Sequence, residues 1–397
     1  MVVAGILVAR ALGVQNYGRF TLMQATLVML AGVAQLSFSV VISQQVAKYR
    51  DADPAATGRI ASFCFLFTLS MGAMLAAALA IGQGFLARQV FRDPALAPAI
   101  TVIAAILPMV AVSAVQQGLF NGLARFRAQA WIALAMVPLV VGSPYFGARE
   151  YGLLGALGGL ALAFAGRFVL SQAVLFRVFR QEGIGWSFGI SPERATRLLG
   201  LAGPATLAGI VVSFAVWGGQ ALLARQEGGD GALGLFNASY MLRALVIFLP
   251  QQMALALLPL VTRQGADPAG DRLMRVSAGT VLAISTLAAA VAAVLAGPLL
   301  SLYGPGFTAG RATLLLLLLS APLEALTITL YQSLQSAGRF WRGLVWVNTP
   351  LAATVLLVAA LLVPDRLSTG LAMAWLIGWT LALSLTLVAV RAAKESR

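Results

Sequence analysis

Runs of about 20 apolar residues recur along this chain, and they constrain it more than any motif does. A helix needs about that length to cross a hydrocarbon layer about 30 Å thick. One or two such runs would fit buried core helices of a soluble protein, but about ten do not. The sequence is 60% hydrophobic and 10% charged, with mean hydropathy +0.90. A soluble domain carries about 25% charged residues. A membrane β-barrel would instead show alternating segments of about 10 residues. The expected class is therefore an all-α polytopic membrane protein.

The net charge of +14 would point to nucleic acid in a soluble chain. Here the cations sit mostly in short loops between apolar runs, so membrane topology explains them and no nucleic-acid partner is expected. The one cysteine, Cys64, lies inside an apolar run and reads as a small buried hydrophobe. The chain has no histidine, which excludes a histidine metal site. No P-loop appears, and the outer-loop acids are isolated, so neither ATP hydrolysis nor a catalytic acid pair is expected. No catalytic residue, metal or cofactor is assigned.

In the first half, spans are expected over residues 20–43, 60–81, 95–118, 130–143 and 153–176. In the second they fall over 198–224, 233–262, 276–295, 313–336, 344–363 and 369–390. Residues 1–9 add a further helix of about 14 Å, too short to span. The expectation is about twelve helices with the first incomplete, by a mis-called start or a real deletion. Residues 177–197, the longest polar segment, read as a cytoplasmic linker. It separates an N-terminal lobe (1–176) from a C-terminal lobe (198–397). With both termini placed inside, 17 of the 27 Lys and Arg residues fall on the cytoplasmic side and eight on the other. That bias supports the orientation. Two more, Arg167 and Arg243, lie inside spans.

The stretch 9–20, A-R-A-L-G-V-Q-N-Y-G-R-F, reads as a tight hairpin between two membrane helices. Asn16 and Tyr17 would supply the turn and an interfacial aromatic. A spaced echo follows at Ala224, Arg225, Gly234, Phe236 and Asn237. Phe20 matches Phe236, Pro108 matches Pro322, Phe126 matches Phe340 and Gly155 matches Gly370, at offsets of 214–216. An offset covering six helices keeps one orientation in both halves. It implies a parallel repeat about an axis along the membrane normal, with a pseudo-two-fold arrangement around a central cavity.

With 9–20, the chain also carries G-L-F-N-G-L-A-R-F-R at 118–127, L-G-L-F-N-A-S-Y-M-L-R at 233–243 and L-P-L-V-T-R at 258–263. On these stretches it resembles the polysaccharide-biosynthesis (oligosaccharide flippase, Wzx-like) family of the multidrug/oligosaccharidyl-lipid/polysaccharide exporter superfamily. The resemblance covers nearly the whole chain. It implies two six-helix lobes around a cavity in a bacterial cytoplasmic membrane. It implies alternating-access transport of sugar units on an undecaprenyl-type pyrophosphate lipid, with a polymerase or other glycan-assembly proteins as partners. Membrane lipids surround the spans.

Such a substrate needs a cationic, polar cavity, and arginine suits a pyrophosphate because its fork binds oxygens in pairs. The candidate cavity residues are Arg243, with Asn237 and Tyr240 beside it, then Gln251, and Arg10, Arg19 and Arg225 near outer helix ends. Glu324 is the one acid inside a span; with Arg167 it is a candidate coupling or structural ion pair. The paired amides Gln44 and Gln45, Gln116 and Gln117, and Gln251 and Gln252, near span ends, suit sugar hydroxyls or helix-to-helix contacts. Pro204 and Pro250 would kink their spans and are candidate hinges. Three alternatives stand beside the flippase: a cation-coupled drug exporter of the same superfamily, a membrane enzyme of glycan synthesis, and an assembly factor. The exporter needs membrane-embedded acids, and helices one to six contain none.

Overall fold

The computed structural model describes every residue except 1, 37, 188, 190, 265–267, 337–339 and 396–397. The side chains of 194, 197, 201–202, 204–205, 249, 253–273, 333–336, 340 and 392–395 also lie outside the description. The side chains of the 258–263 stretch and of the Phe340 anchor therefore fall outside the described residues.

Ten main helices follow one another: α1 Val2–Gln35, α2 Phe38–Tyr49, α3 Pro54–Ile81, α4 Ala97–Gly122, α5 Phe126–Gln181, α6 Pro192–Ala224, α7 Gly229–Gln264, α8 Pro268–Val294, α9 Arg311–Ser336 and α10 Thr349–Glu395. Among the described residues, eight helical stretches are long and apolar enough to cross a membrane, or nine if α1 and α2 count together. Three of the helices break at one or two residues: α1 at Gly13, α5 at Tyr151–Gly152 and α10 at Leu367. The breaks reverse the chain. A Cβ built on Gly5 would lie 3.4 Å from the Tyr17 hydroxyl, whereas a straight helix would separate the two residues by about 18 Å. The Ser143 hydroxyl likewise donates to Gly159 O at 2.7 Å. Splitting α1, α5 and α10 at their corners, and joining α2 to the second arm of α1, gives twelve passes among the described residues. The first of these is short.

The hairpin over 9–20 is present, but its turn is Gly13 (φ 73°) and not Asn16–Tyr17. Glycine alone adopts this φ without steric cost. Tyr17 is buried, not interfacial.

The repeat recurs in backbone conformation. The left-handed corners Gly13 and Gly228 are 215 residues apart, as are Gly152 and Leu367. Gly155 is pressed against the Gly147 carbonyl, and Gly370 against Leu362, again 215 residues on. Each half also has one central helix: α4 packs on α2, α3 and α5, while α9 packs on α7, α8 and α10. Both central helices carry a proline, Pro108 and Pro322.

Leu367 holds φ 46° where its repeat mate is glycine, a backbone region costly for a branched residue. Leu367→Gly is expected to raise stability by about 1 kcal/mol. Thermal unfolding in detergent measures it, and an unchanged or lower midpoint would show that the corner is not strained.

Two compact units emerge: residues 23–213, and residues 4–22 together with 214–397. These differ from the lobes expected at 1–176 and 198–397. Residues 4–22 pack with the second unit, for the reasons given below. Most of the expected linker is also structured. α5 runs to Gln181 and α6 starts at Pro192. Between them Ile184 joins the first unit's core, and Trp186 stacks on Phe179 (4.8 Å, 25°). That core gathers Phe38, Ile42, Cys64, Leu119 and Leu175. Large apolar side chains such as Trp131 and Phe146 stay exposed, as a lipid-facing surface requires.

Candidate functional site

Three polar clusters stand out, two in the second unit and one in the first. The first cluster is the crossing of α1 and α7. A Cβ on Gly18 would fall on the Asp230 carbonyl oxygen, and a Cβ on Gly234 would fall on the Val14 carbonyl oxygen. With an offset of 216, Val14 corresponds to Asp230 and Gly18 to Gly234. The contact is therefore reciprocal: each repeat's glycine meets the other repeat's backbone, as across the two-fold axis of a homodimer. Small residues permit this approach.

Side chains fasten the crossing. Arg19 Nε donates to Asp230 Oδ2 at 2.8 Å, with both side chains about a quarter to a third exposed (30% and 25%). Arg10 Nε donates to Leu302 O at 2.6 Å. Tyr17 meets Tyr303 and Phe307 edge-on, at 6.1 and 5.7 Å. Burial pushes the Tyr303 phenol pKa up, so its hydroxyl stays neutral. Arg225 is exposed just past the end of α6. The α1–α7 contact is what places residues 4–22 in the second unit.

The second cluster surrounds Arg243, which is 2% exposed. Its guanidinium forms an ion pair with Glu324 of α9, and its Nε donates to Ser320 Oγ at 3.2 Å. Tyr240 lies under it at 5.3 Å and stacks in turn on Phe236 (5.8 Å). Glu324 is thus partnered by Arg243 within the second unit, and Arg167 belongs to the first unit. The pairing follows from packing, because α7 and α9 are neighbours in one unit. Asn237 donates to Gln220 Oε1 at 3.3 Å and to Leu233 O at 3.1 Å, tying α6 to α7. Gln251 is half-buried and α7 runs on helically through Pro250. Pro204 lies in α6, with its side chain outside the described residues.

The third cluster lines a cavity of about 240 Å³ in the first unit. α4 contributes Ser113, Gln116 and Gln117, and α5 contributes Gln129, Arg167 and Ser171. Gln116 Nε2 donates to Phe168 O (3.2 Å) and to Gln172 Oε1 (3.0 Å). Sequence reasoning singled out Arg167, Gln116 and Gln117 but did not bring them together. Asp230, Tyr303 and Phe307 at the crossing were missed. Helical spacing carried the first signal: 113, 116 and 117 share a face, as do 167 and 171. The repeat offset carried the second, since it maps Val14 onto Asp230.

Comparison with known proteins adds three kinds of finding. No curated protein matches the chain in sequence. Among solved structures, the fold is similar to an inward-facing multidrug resistance MATE family transporter of the MOP superfamily (TM-score 0.87, 16% identity, 100% of this chain and 94% of that one). It is similar to the lipid II flippase MurJ in an inward closed conformation (0.75, 12%, 98% and 84%). A MOP superfamily transporter from Pyrococcus furiosus is also similar (0.68, 15%, 99% and 91%). At these identities the likeness establishes the fold alone, a multi-pass helical fold shared with these proteins. The family described as polysaccharide biosynthesis protein matches residues 2–264, about two thirds of the sequence, and the chain belongs to that family.

Proposed function

We propose that this protein is a flippase. It moves oligosaccharide units, carried on an undecaprenyl-type pyrophosphate lipid, from the cytoplasmic to the outer leaflet of a bacterial inner membrane. It works by alternating access between two six-helix repeats, has both termini in the cytoplasm, hands its product to glycan-assembly proteins and performs no covalent chemistry. The observation that carries this reading is the charge inside the spans. The apolar spans read from the first half of the sequence (20–43, 60–81, 95–118, 130–143 and 153–176) hold Arg167 and no acid, and Glu324 is already neutralised by Arg243. A membrane-embedded charge is costly and is retained for a use. An interior with cations and amides but no unpaired acid among the described residues suits an anionic, hydroxyl-rich cargo. It does not suit a cation-coupled exporter, which needs an acid to hold its ion. The family membership and the MurJ-like fold support the same reading.

A strain lacking the gene should accumulate lipid-linked repeat units on the inner leaflet and lose the surface glycan. Normal surface glycan with no accumulated intermediate would remove the assignment.

A further inference from the structure

The first unit's cavity has a composition that says what it can hold. Its six polar side chains, Ser113, Gln116, Gln117, Gln129, Arg167 and Ser171, include a cation and no acid. No ion pair of Arg167 occurs among the described residues. Its guanidinium offers a fork of N–H donors that fits an oxyanion. Gln116 asks for the opposite partner. It is 1% exposed, its Nε2 is used by Phe168 and Gln172, and its Oε1 is buried without a partner among the described residues. A buried acceptor left unmade is costly, so it favours a ligand that brings an O–H or N–H donor. Ser113 Oγ donates to Met109 O at 2.8 Å, which leaves it an acceptor as well. One group that carries both an anion and hydroxyls would meet both demands. The volume, about 240 Å³, lies below the roughly 300–1,000 Å³ of sites for drug-sized ligands. It suits a single ring and not a whole oligosaccharide.

We infer that this cavity is a subsite for one sugar residue bearing an anionic group, either a phosphate or a carboxylate. Arg167 takes the oxyanion; Gln116 and Ser113 accept from ring hydroxyls. The inference rests on the flippase reading and deepens it, by assigning the cargo an acidic or phosphorylated sugar at one position.

Full-length protein in lipid nanodiscs, titrated with glucose 1-phosphate, glucuronate, glucose and inorganic phosphate by saturation-transfer NMR, tests it. At least one of the two anionic sugars should bind more tightly than both glucose and phosphate, and which one does tells the phosphate source from the carboxylate. Arg167→Gln and Gln116→Leu should each weaken that binding about tenfold or more. If Gln116→Leu does not fold, Gln116→Glu keeps the side-chain volume and should abolish binding by neutralising the site's charge. Equal binding of glucose, or unchanged affinity in folded Arg167→Gln protein, would overturn the subsite. The flippase reading stands or falls separately, on the deletion strain.

Discussion

Arg243→Ala should lower the unfolding free energy by about 3–5 kcal/mol, the scale expected when one partner of a buried ion pair is removed. Arg243 is enclosed between α7 and α9 with Ser320 and Tyr240, and its loss leaves the Glu324 carboxylate buried without its cation. Glu324→Ala should cost a comparable amount by leaving the arginine uncompensated. Replacing both by apolar residues of similar volume, Arg243→Met with Glu324→Leu, should recover most of the loss, because the desolvation of both charges is then avoided. The signature is strong non-additivity in the double-mutant cycle, measured by thermal unfolding of the purified protein in detergent. Additive losses, or single variants as stable as the parent, would show that the two side chains do not depend on each other.

The second large effect lies at the α1–α7 crossing. Gly18→Val and Gly234→Val should each destabilise by more than the roughly 1–3 kcal/mol usual for overpacking. The atoms a Cβ would strike are the Asp230 and Val14 carbonyl oxygens, which belong to backbone and cannot swing aside as a side chain can. Because the contact is reciprocal, the two substitutions should behave alike. The double variant should lose much less than the sum, since one substitution already opens the crossing. Arg19→Ala, which removes a partly exposed pair, should cost about 1 kcal/mol at most. Melting temperatures of the four variants check this order. A large Arg19 effect with small glycine effects would show that charge, and not close packing, holds the crossing.

Much of the architecture could be read from residue order. Membrane helices follow from apolar length, and the internal repeat follows from anchors such as Pro108 and Pro322. What escaped reading was tertiary. Tyr17 sits beside polar residues, so it looked interfacial; Tyr303 and Phe307, almost 300 residues away, bury it. The corner fell on Gly13 and not on Asn16–Tyr17 because the left-handed backbone needed there is free only for glycine. The assignment of residues 4–22 to the second unit could not follow from chain order, because it depends on a backbone-to-backbone contact. Glu324 had two intramembrane arginines to choose from, and only the packing of α7 on α9 decides for Arg243. The polar cavity was half legible. Arg167 and Gln116 stood out singly, but their convergence depends on how α4 lies against α5.

Transport itself is the central claim. The direct measurement is leaflet exchange in proteoliposomes that hold the purified protein and a lipid-linked oligosaccharide, followed by access of an external lectin or glycosidase to the sugar. The account predicts that, after the outer leaflet's sugars are removed, the inner leaflet's sugars become accessible in protein-containing vesicles and not in protein-free ones. Vesicles with folded protein that expose no more sugar than protein-free controls, under either an imposed ion gradient or none, would contradict it.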